Sequence, residues 1–172
     1  MIITKAKLKN IQAMREILQP EVDRGVILER SCDVMANMIR SYRILWEEKE
    51  KISAQKYTLE DKKIEDLQNP VMLGFCALHI HSITLCEVRS LIVAPSFQRK
   101  GCASALIVDC LKEAKELDLS EILVLTYKRE LFEKLGFKEI SKDKIPNQKI
   151  WADCIMCKHF PLCDEIALIK KI

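Results

Sequence analysis

A chain of 172 residues with 49% apolar and 31% charged residues has the balance of a folded globular protein and is long enough to bury a core without staples. The net charge of +3 is small and scattered, with no basic stripe. That argues against a nucleic-acid partner, yet it suits one local pocket for a polyanion. No apolar run approaches the ~20 residues of a membrane span, and Met1-Ile2-Ile3-Thr4-Lys5 does not open a secretory signal. The expectation is therefore a cytoplasmic, non-membrane protein. Its eight cysteines should be buried hydrophobes, metal ligands or sensors rather than disulfides.

Ile2 to Ala6 reads as a short strand. Asn10 can cap a helix that carries Ile11, Met14, Ile17 and Leu18 on one face, with Pro20 just beyond it. A second helix should start at Ser31, with Val34, Met35, Met38 and Ile39 on its apolar side, and Tyr42 to Trp46 reads as a strand. Glu47 to Gln68 is mostly charged, with Leu59, Ile64 and Leu67 as a weak helical face, and reads as an exposed insertion between strands. Val71 to His81 and Leu85 to Val93 are apolar runs separated by a short turn, which predicts an antiparallel pair. Gly101 opens a helix over Cys102 to Glu116, followed by an apolar strand from Glu121 to Thr126. A short helix from Arg129 to Leu135 ends at Gly136, a strand begins at Phe137, and a last strand is expected over Asp164 to Ile169. The order predicts an α/β (α+β) domain over 1–172: a mostly antiparallel mixed sheet with one parallel crossover and flanking helices.

The informative stretch is Glu87-Val88-Arg89-Ser90-Leu91-Ile92-Val93-Ala94-Pro95-Ser96-Phe97-Gln98-Arg99-Lys100-Gly101-Cys102-Ala103-Ser104. A strand ends, and a Gln-x-x-Gly-x-Ala loop runs into a helix. Unpaired N–H groups and the dipole make such a helix start attractive to an anion, Gly101 lets a ligand approach the backbone, and Arg99 and Lys100 add charge. A diphosphate would suit the loop; so would a plain tight turn. The absence of Gly-Lys-Ser/Thr excludes a P-loop, and the absence of Gly-x-Gly-x-x-Gly excludes the dinucleotide fingerprint.

Leu91-Ile92-Val93-Ala94-Pro95, the Gln98-x-x-Gly101-x-Ala103 loop and the later Leu135-Gly136-Phe137 together resemble the GNAT acetyltransferases. The resemblance implies that the backbone of Gln98, Arg99, Lys100, Gly101, Cys102, Ala103 and Ser104 holds the pyrophosphate of acetyl-CoA. It also implies that Leu91, Ile92 and Val93 line the pantetheine arm, with the strands splaying beside Val93 to admit the thioester. A narrower resemblance, to short bacterial N-acetylglutamate synthases and the acetyltransferase domains of longer ones, rests on Gly25-Val26-Ile27-Leu28-Glu29-Arg30-Ser31, on Glu87 to Val93 with its loop, on Leu125-Thr126-Tyr127 and on Lys149-Ile150-Trp151-Ala152-Asp153-Cys154 with Cys163-Asp164-Glu165-Ile166-Ala167. It implies L-glutamate as acceptor at the head of arginine biosynthesis, with Arg30 gripping a carboxylate. Arg89 is the second candidate for acceptor binding. A planar guanidinium suits bidentate carboxylate recognition, and an ordinary surface arginine near a helix start is the plain alternative for Arg30.

Transfer to an amine needs a base for the ammonium and a proton for the leaving thiolate. Glu87 is the candidate base, and strict alternation along the strand would put it on the same face as Leu91 and Val93. Its structural alternative is to pair with Arg89 or a neighbouring strand. Phe132 stands where many relatives carry a tyrosine acid, so Tyr127 is the alternative donor, or an aromatic that simply packs. Cys154, Cys157, His159 and Cys163 form a compact set that could hold zinc within the Cys-rich segment 149–164, with redox sensing or packing as alternatives. His79 and His81 could touch substrate or pack on their strand. The acceptor could also be another small amine or a protein N-terminus, and a non-catalytic acyl-CoA-binding or zinc-sensing module is the rival from a different class. Resemblance alone suggests a homodimer.

Overall fold

The computed structural model describes residues 1–52, 59–145, 147, 153–157, 159 and 161–172. Seven strands form one sheet: β1 (Ile2–Lys5), β2 (Tyr42–Glu48), β3 (Pro70–Ile80), β4 (Leu85–Val93), β5 (Glu121–Thr126), β6 (Lys138–Ile140) and β7 (Ile166–Lys171). Their spatial order is β1-β2-β3-β4-β5-β7-β6. Every neighbouring pair is antiparallel except β4 and β5, whose parallel pairing needs a crossover, and α3 (Cys102–Glu116) supplies it. The remaining helices are α1 (Ile11–Asp23), α2 (Cys32–Asn37) and α4 (Arg129–Glu133).

The sheet carries a core on each face. Leu106, Ile107, Cys110 and Ala114 of α3 pack with Cys76, Leu78, Cys86, Val88, Ile122 and Val124. On the other face Met14, Leu18 and Val22 of α1 and Met35 of α2 pack with Tyr42, Ile44, Phe75, Ala77 and Ile92. Alternation along β3 sends Cys76 and Leu78 to the first core and Phe75 and Ala77 to the second. A strand buried on both faces must read as a continuous apolar run, as β3 and β5 do.

The predicted β4, α3 and β5 bounds coincide with the observed ones. Pro20 does not end α1: the helix continues to Asp23 because Val22 extends its buried stripe. The last strand starts at Ile166, leaving Asp164 and Glu165 ahead of it. The charged insertion is tied down at both ends. Glu47 and Glu48 extend β2, with Glu47 buried, while Leu67 is buried and Ile64 packs beside it in the second core. The expected helical face does not form: Ile64–Asp66 is a single tight turn, and Leu59 is half exposed.

Arg43 of β2 reaches the α3 side of the sheet. Its Nε lies 3.1 Å from Asp109 Oδ2, and its Nη2 pairs with Glu113. Burial raises the Asp109 carboxyl pKa, and the Arg43 charge pulls it back down.

Candidate functional site

The site is built around a break in β4. Phe75 faces Ile92 and Ala77 faces Arg89, so Cys76 alone on β3 opposes both Ser90 and Leu91 on β4. That is a β-bulge, and Ser90 takes it up with a φ of +52°. The extra residue inverts the alternation. Cys86 and Val88 lie in the α3 core, yet so do Leu91 and Val93, while Ile92 lies in the opposite core. Glu87 and Arg89, alternating with Cys86 and Val88, therefore face the α1/α2 side. The expected shared face of Glu87 with Leu91 and Val93 is corrected by this bulge. Ser90 carries no glycine to advertise it.

Gly74 sits against the same irregularity. A Cβ there would lie 2.3 Å from the Ile92 carbonyl oxygen and 2.9 Å from Val93 Cα, so backbone meets backbone where no side chain fits. On its other edge β4 pairs with β5 only over Leu85–Glu87 opposite Glu121–Leu123. The strands part after Glu87, so the splay begins well before Val93.

Beyond β4, Gln98 folds its side chain back, Nε2 donating to the Val93 carbonyl at 3.1 Å. Arg99 and Gly101 both adopt left-handed backbone, with φ of +60° and +88°. Gly101 caps α3 without a side-chain hydrogen bond, the first turn holds no acidic residue, and no atom lies within 4 Å of where a Cβ would be. The helix start is thus open and electropositive. Lys100 points elsewhere, its Nζ donating to the Ile52 carbonyl at 3.3 Å.

A cleft of about 1380 Å³ runs along the splayed strands. It is lined by Glu87, Arg89 and Ser90, by Leu91, Ile92 and Val93, and by Gln98, Arg99, Gly101, Cys102, Ala103 and Ser104. Arg30, Tyr127, Asp153, Cys154, Cys157, His159 and Cys163 complete the wall. Of the residues singled out in the sequence as catalytic, cofactor, acceptor or zinc candidates, Lys100 alone is outside that lining; His79 and His81, the possible substrate contacts, are outside it too.

Glu87 is buried and bonded to His81 across the β3–β4 turn, with 2.9 Å between Oε2 and Nε2. An ionised carboxylate can only accept, so in that state His81 carries its proton on Nε2. The His79 ring stacks edge-on against His81 at 4.8 Å. Burial, then the nearby Arg89 charge, hold the His79 pKa at about 4, so it is neutral near pH 7. These histidines join the base candidate through β3, not through the cleft wall.

Arg30 and Arg89 converge, as a shared carboxylate-binding role requires, but they converge on a residue of the chain. Arg30 Nη2 lies 2.6 Å from Asp153 Oδ1, and Arg89 Nη1 lies 2.8 Å from Asp153 Oδ2. The Asp153 carboxylate is buried between two guanidiniums. Burial lowers the Arg89 pKa and Asp153 opposes that. Sequence reasoning missed Asp153. It stands 123 residues from Arg30, and an aspartate ahead of a cysteine carries no signal of such a contact.

Tyr127 ends β5 at the cleft rim and donates to Asp164 Oδ1 at 3.1 Å. Burial, that hydrogen bond and the neighbouring Glu165 all raise its pKa, so the phenol keeps its proton.

The zinc expectation is not supported. Among the described residues no group of three or more His, Cys, Asp or Glu side chains could hold a metal ion, although all four proposed ligands are described. His159 Nε2 instead lies 3.1 Å from the Gly25 carbonyl, and Cys163 turns towards Glu165. The spacing from Cys154 to Cys163 does not close on one point.

Residues 57–139 match the acetyltransferase (GNAT) domain family. The chain carries a GNAT acetyltransferase domain. An uncharacterised N-acetyltransferase of Chlorobaculum tepidum is 29% identical over 170 residues, covering 99% of this chain and 96% of that protein. An amino-acid acetyltransferase of Mycobacterium tuberculosis is 24% identical over 139 residues, covering 81% of this chain and 69% of that one. In structure, the N-acetylglutamate synthase of Neisseria gonorrhoeae, solved with coenzyme A and N-acetyl-glutamate, superposes with a TM-score of 0.73 at 21% identity. The match covers 98% of this chain and 34% of that one, so this GNAT chain spans about a third of that protein's length. Likeness at that identity establishes the GNAT fold, and the family establishes an acetyl-CoA-dependent acetyltransferase. Among the described residues, no helix is long and apolar enough to cross a membrane.

Proposed function

We propose that this GNAT enzyme acetylates the α-amino group of an amino acid, with L-glutamate as preferred acceptor, giving N-acetyl-L-glutamate and coenzyme A at the head of arginine biosynthesis. We propose that it does so as a single cytoplasmic domain that pairs as a homodimer. The observation that carries the reading is one cleft that joins an open, left-handed glycine loop to a buried carboxylate and two arginines. The relatives named N-acetylglutamate synthase and amino-acid acetyltransferase point the same way.

In this reading the backbone of Gln98 to Ser104 holds the pyrophosphate of acetyl-CoA, and the β4 edge from Leu91 to Val93 faces the pantetheine arm. The fit rests on the uncapped start of α3 and on the parting of β4 from β5. Arg30 and Arg89 draw the acceptor carboxylate into the cleft. Glu87 takes a proton from the acceptor ammonium, directly or through water. The amine nitrogen then bonds the thioester carbonyl carbon, the carbon–sulfur bond breaks with its electron pair going to sulfur, the nitrogen gives its second proton to water, and the thiolate takes a proton from water or from Tyr127, which water then re-protonates. Arg89, on which both Glu87 and Asp153 act, lowers the cost of bringing a carboxylate into a buried site.

The test is coenzyme A release from acetyl-CoA with the amino acids scanned as acceptors. Selective turnover of L-glutamate supports the reading, and turnover confined to amines without a carboxylate refutes the acceptor assignment. Glu87→Gln should lower kcat by roughly 10²–10⁴ while acetyl-CoA binding is kept. Turnover at the parental rate would remove Glu87 as base.

A further inference from the structure

Asp153 is an acidic side chain that both arginines hold, and no proton or bond of the reaction as described passes through it. We infer that Asp153 is a positioning residue that sets acceptor specificity: its carboxylate pins Arg30 and Arg89 to one geometry and leaves the trio with one uncompensated positive charge for the acceptor's carboxylate. This rests on the acceptor reading above and deepens it.

Each oxygen of Asp153 takes a different arginine, at 2.6 Å and 2.8 Å, with both side chains and the aspartate largely buried. Carboxylate–guanidinium bonds of this length are strong and directional, so they fix two long, flexible side chains that come from different parts of the fold. Two cations and one anion leave one positive charge, in a site where burial makes that charge count. Glu87 also acts on Arg89 electrostatically while its carboxylate is hydrogen-bonded to His81, so it offsets that charge when ionised and ceases to once it has taken the acceptor's proton.

A donor is also left over. Arg89 Nη1 serves Asp153 and Nη2 reaches Met38 Sδ at 3.3 Å, a weak thioether acceptor. Arg89 Nε is buried without a hydrogen-bond partner among the described residues. Nε and Nη2 form the side edge of the guanidinium fork, the edge that binds a carboxylate with two parallel bonds. A carboxylate that reaches that edge exchanges the weak sulfur contact for a charged one and satisfies a donor already stripped of water. Without Asp153 the pair would repel, spread, and carry a second uncompensated charge. That arrangement would no longer hold the two guanidiniums at the spacing of one acceptor carboxylate.

The test uses the full chain with Asp153→Asn, which keeps volume, and Asp153→Ala, which empties the space. Acceptor KM should rise about 10- to 100-fold, the size of one lost charged hydrogen bond, and kcat should fall by less. Acetyl-CoA affinity should stay as in the parent. Added acetate should lower the acceptor KM of Asp153→Ala and not that of the parent, because a free carboxylate can refill the gap between the guanidiniums. Asp153→Glu should recover part of the loss. An unchanged or lowered acceptor KM in Asp153→Asn, with glutamate still the parental acceptor, would overturn the inference and leave the acceptor reading standing. A parental enzyme that turns over only amines lacking a carboxylate would overturn both. If Asp153→Ala does not fold, Asp153→Asn and Asp153→Glu carry the same comparison.

Discussion

Gly74→Ala probes whether the bulge in β4 holds the cleft in shape. The added Cβ would lie 2.3 Å from the Ile92 carbonyl oxygen, whereas ordinary contact starts near 3.4 Å, so β3 and β4 must part by about 1.1 Å there. Both obstacles are backbone, so no rotamer change can relieve them. Gly74 pairs with Leu45 on one side and Val93 on the other, in the middle of the sheet, and the Ala94 N–H bond to Leu73 at 2.9 Å lies next to it. Overpacking of about 1–3 kcal/mol and one weakened hydrogen bond of about 1 kcal/mol give a loss of about 2–4 kcal/mol. For a chain of this size that lowers Tm by roughly 5–15 °C. Because the displaced residues lead into the Gln98 to Ser104 loop, coenzyme A affinity should fall with it. Thermal unfolding by circular dichroism and calorimetric titration with coenzyme A measure the two effects. A Tm within 2 °C of the parent, or a stability loss with affinity intact, would refute the coupling of this strand contact to the loop.

Gly101→Ala should separate the same two quantities. Its φ of +88° disfavours an L-residue by about 1–2 kcal/mol, but no atom obstructs the Cβ. Tm should drop by only a few degrees while coenzyme A affinity falls more than in any variant of equal stability; equal losses would argue against the open loop. Arg43→Met leaves Asp109 and Glu113 facing the sheet without their cation, at a cost of about 3–5 kcal/mol near pH 7. Asp109 has a raised folded pKa, so the stability it contributes is present below its unfolded value and lost as pH rises through the folded one. Removing the Arg43 charge raises that pKa further. Urea unfolding should therefore show the Arg43→Met deficit shrinking as pH falls into the acid range, and a deficit independent of pH would refute the pairing. Ser90→Val, which puts a β-branched residue at a φ of +52°, should cost about 1–3 kcal/mol, whereas Ser90→Gly should stay within about 1 kcal/mol of the parent. Equal stabilities by urea unfolding would remove the bulge geometry.

Much of this architecture was legible because its signals are local. β4 and β5 announce themselves as apolar runs between turn residues, and α3 by its periodic Leu106, Ile107, Cys110 and Ala114 behind Gly101. Pro20 misled because tertiary burial of Val22 outweighs what a proline costs a helix near its end. Period-two reasoning failed at Ser90 because a bulge without glycine has no sequence mark and flips every residue beyond it. The arginine pair could be found from residue type, but not its partner. Arg30, Arg89 and Asp153 belong to three segments whose meeting is a property of the whole fold. The cysteine set misled for the converse reason, since close spacing in sequence fixes no direction in space.

The bulge also explains how one strand can serve two kinds of chemistry. A regular β4 would send the side chains of Glu87, Arg89, Leu91 and Val93 to one face, crowding charge and apolar surface together. The inserted residue instead turns Glu87 and Arg89 towards α1 and α2, where Arg30 and Asp153 lie, and returns Leu91 and Val93 to the α3 core. The parting of β4 from β5 after Glu87 leaves backbone along that second stretch without strand partners on the β5 side. Polar backbone in that position is costly unless water or a ligand answers it. Charged side chains before the bulge and unpaired backbone after it thus open onto the same cleft, which is the arrangement a transfer between an extended donor and a compact, charged acceptor requires.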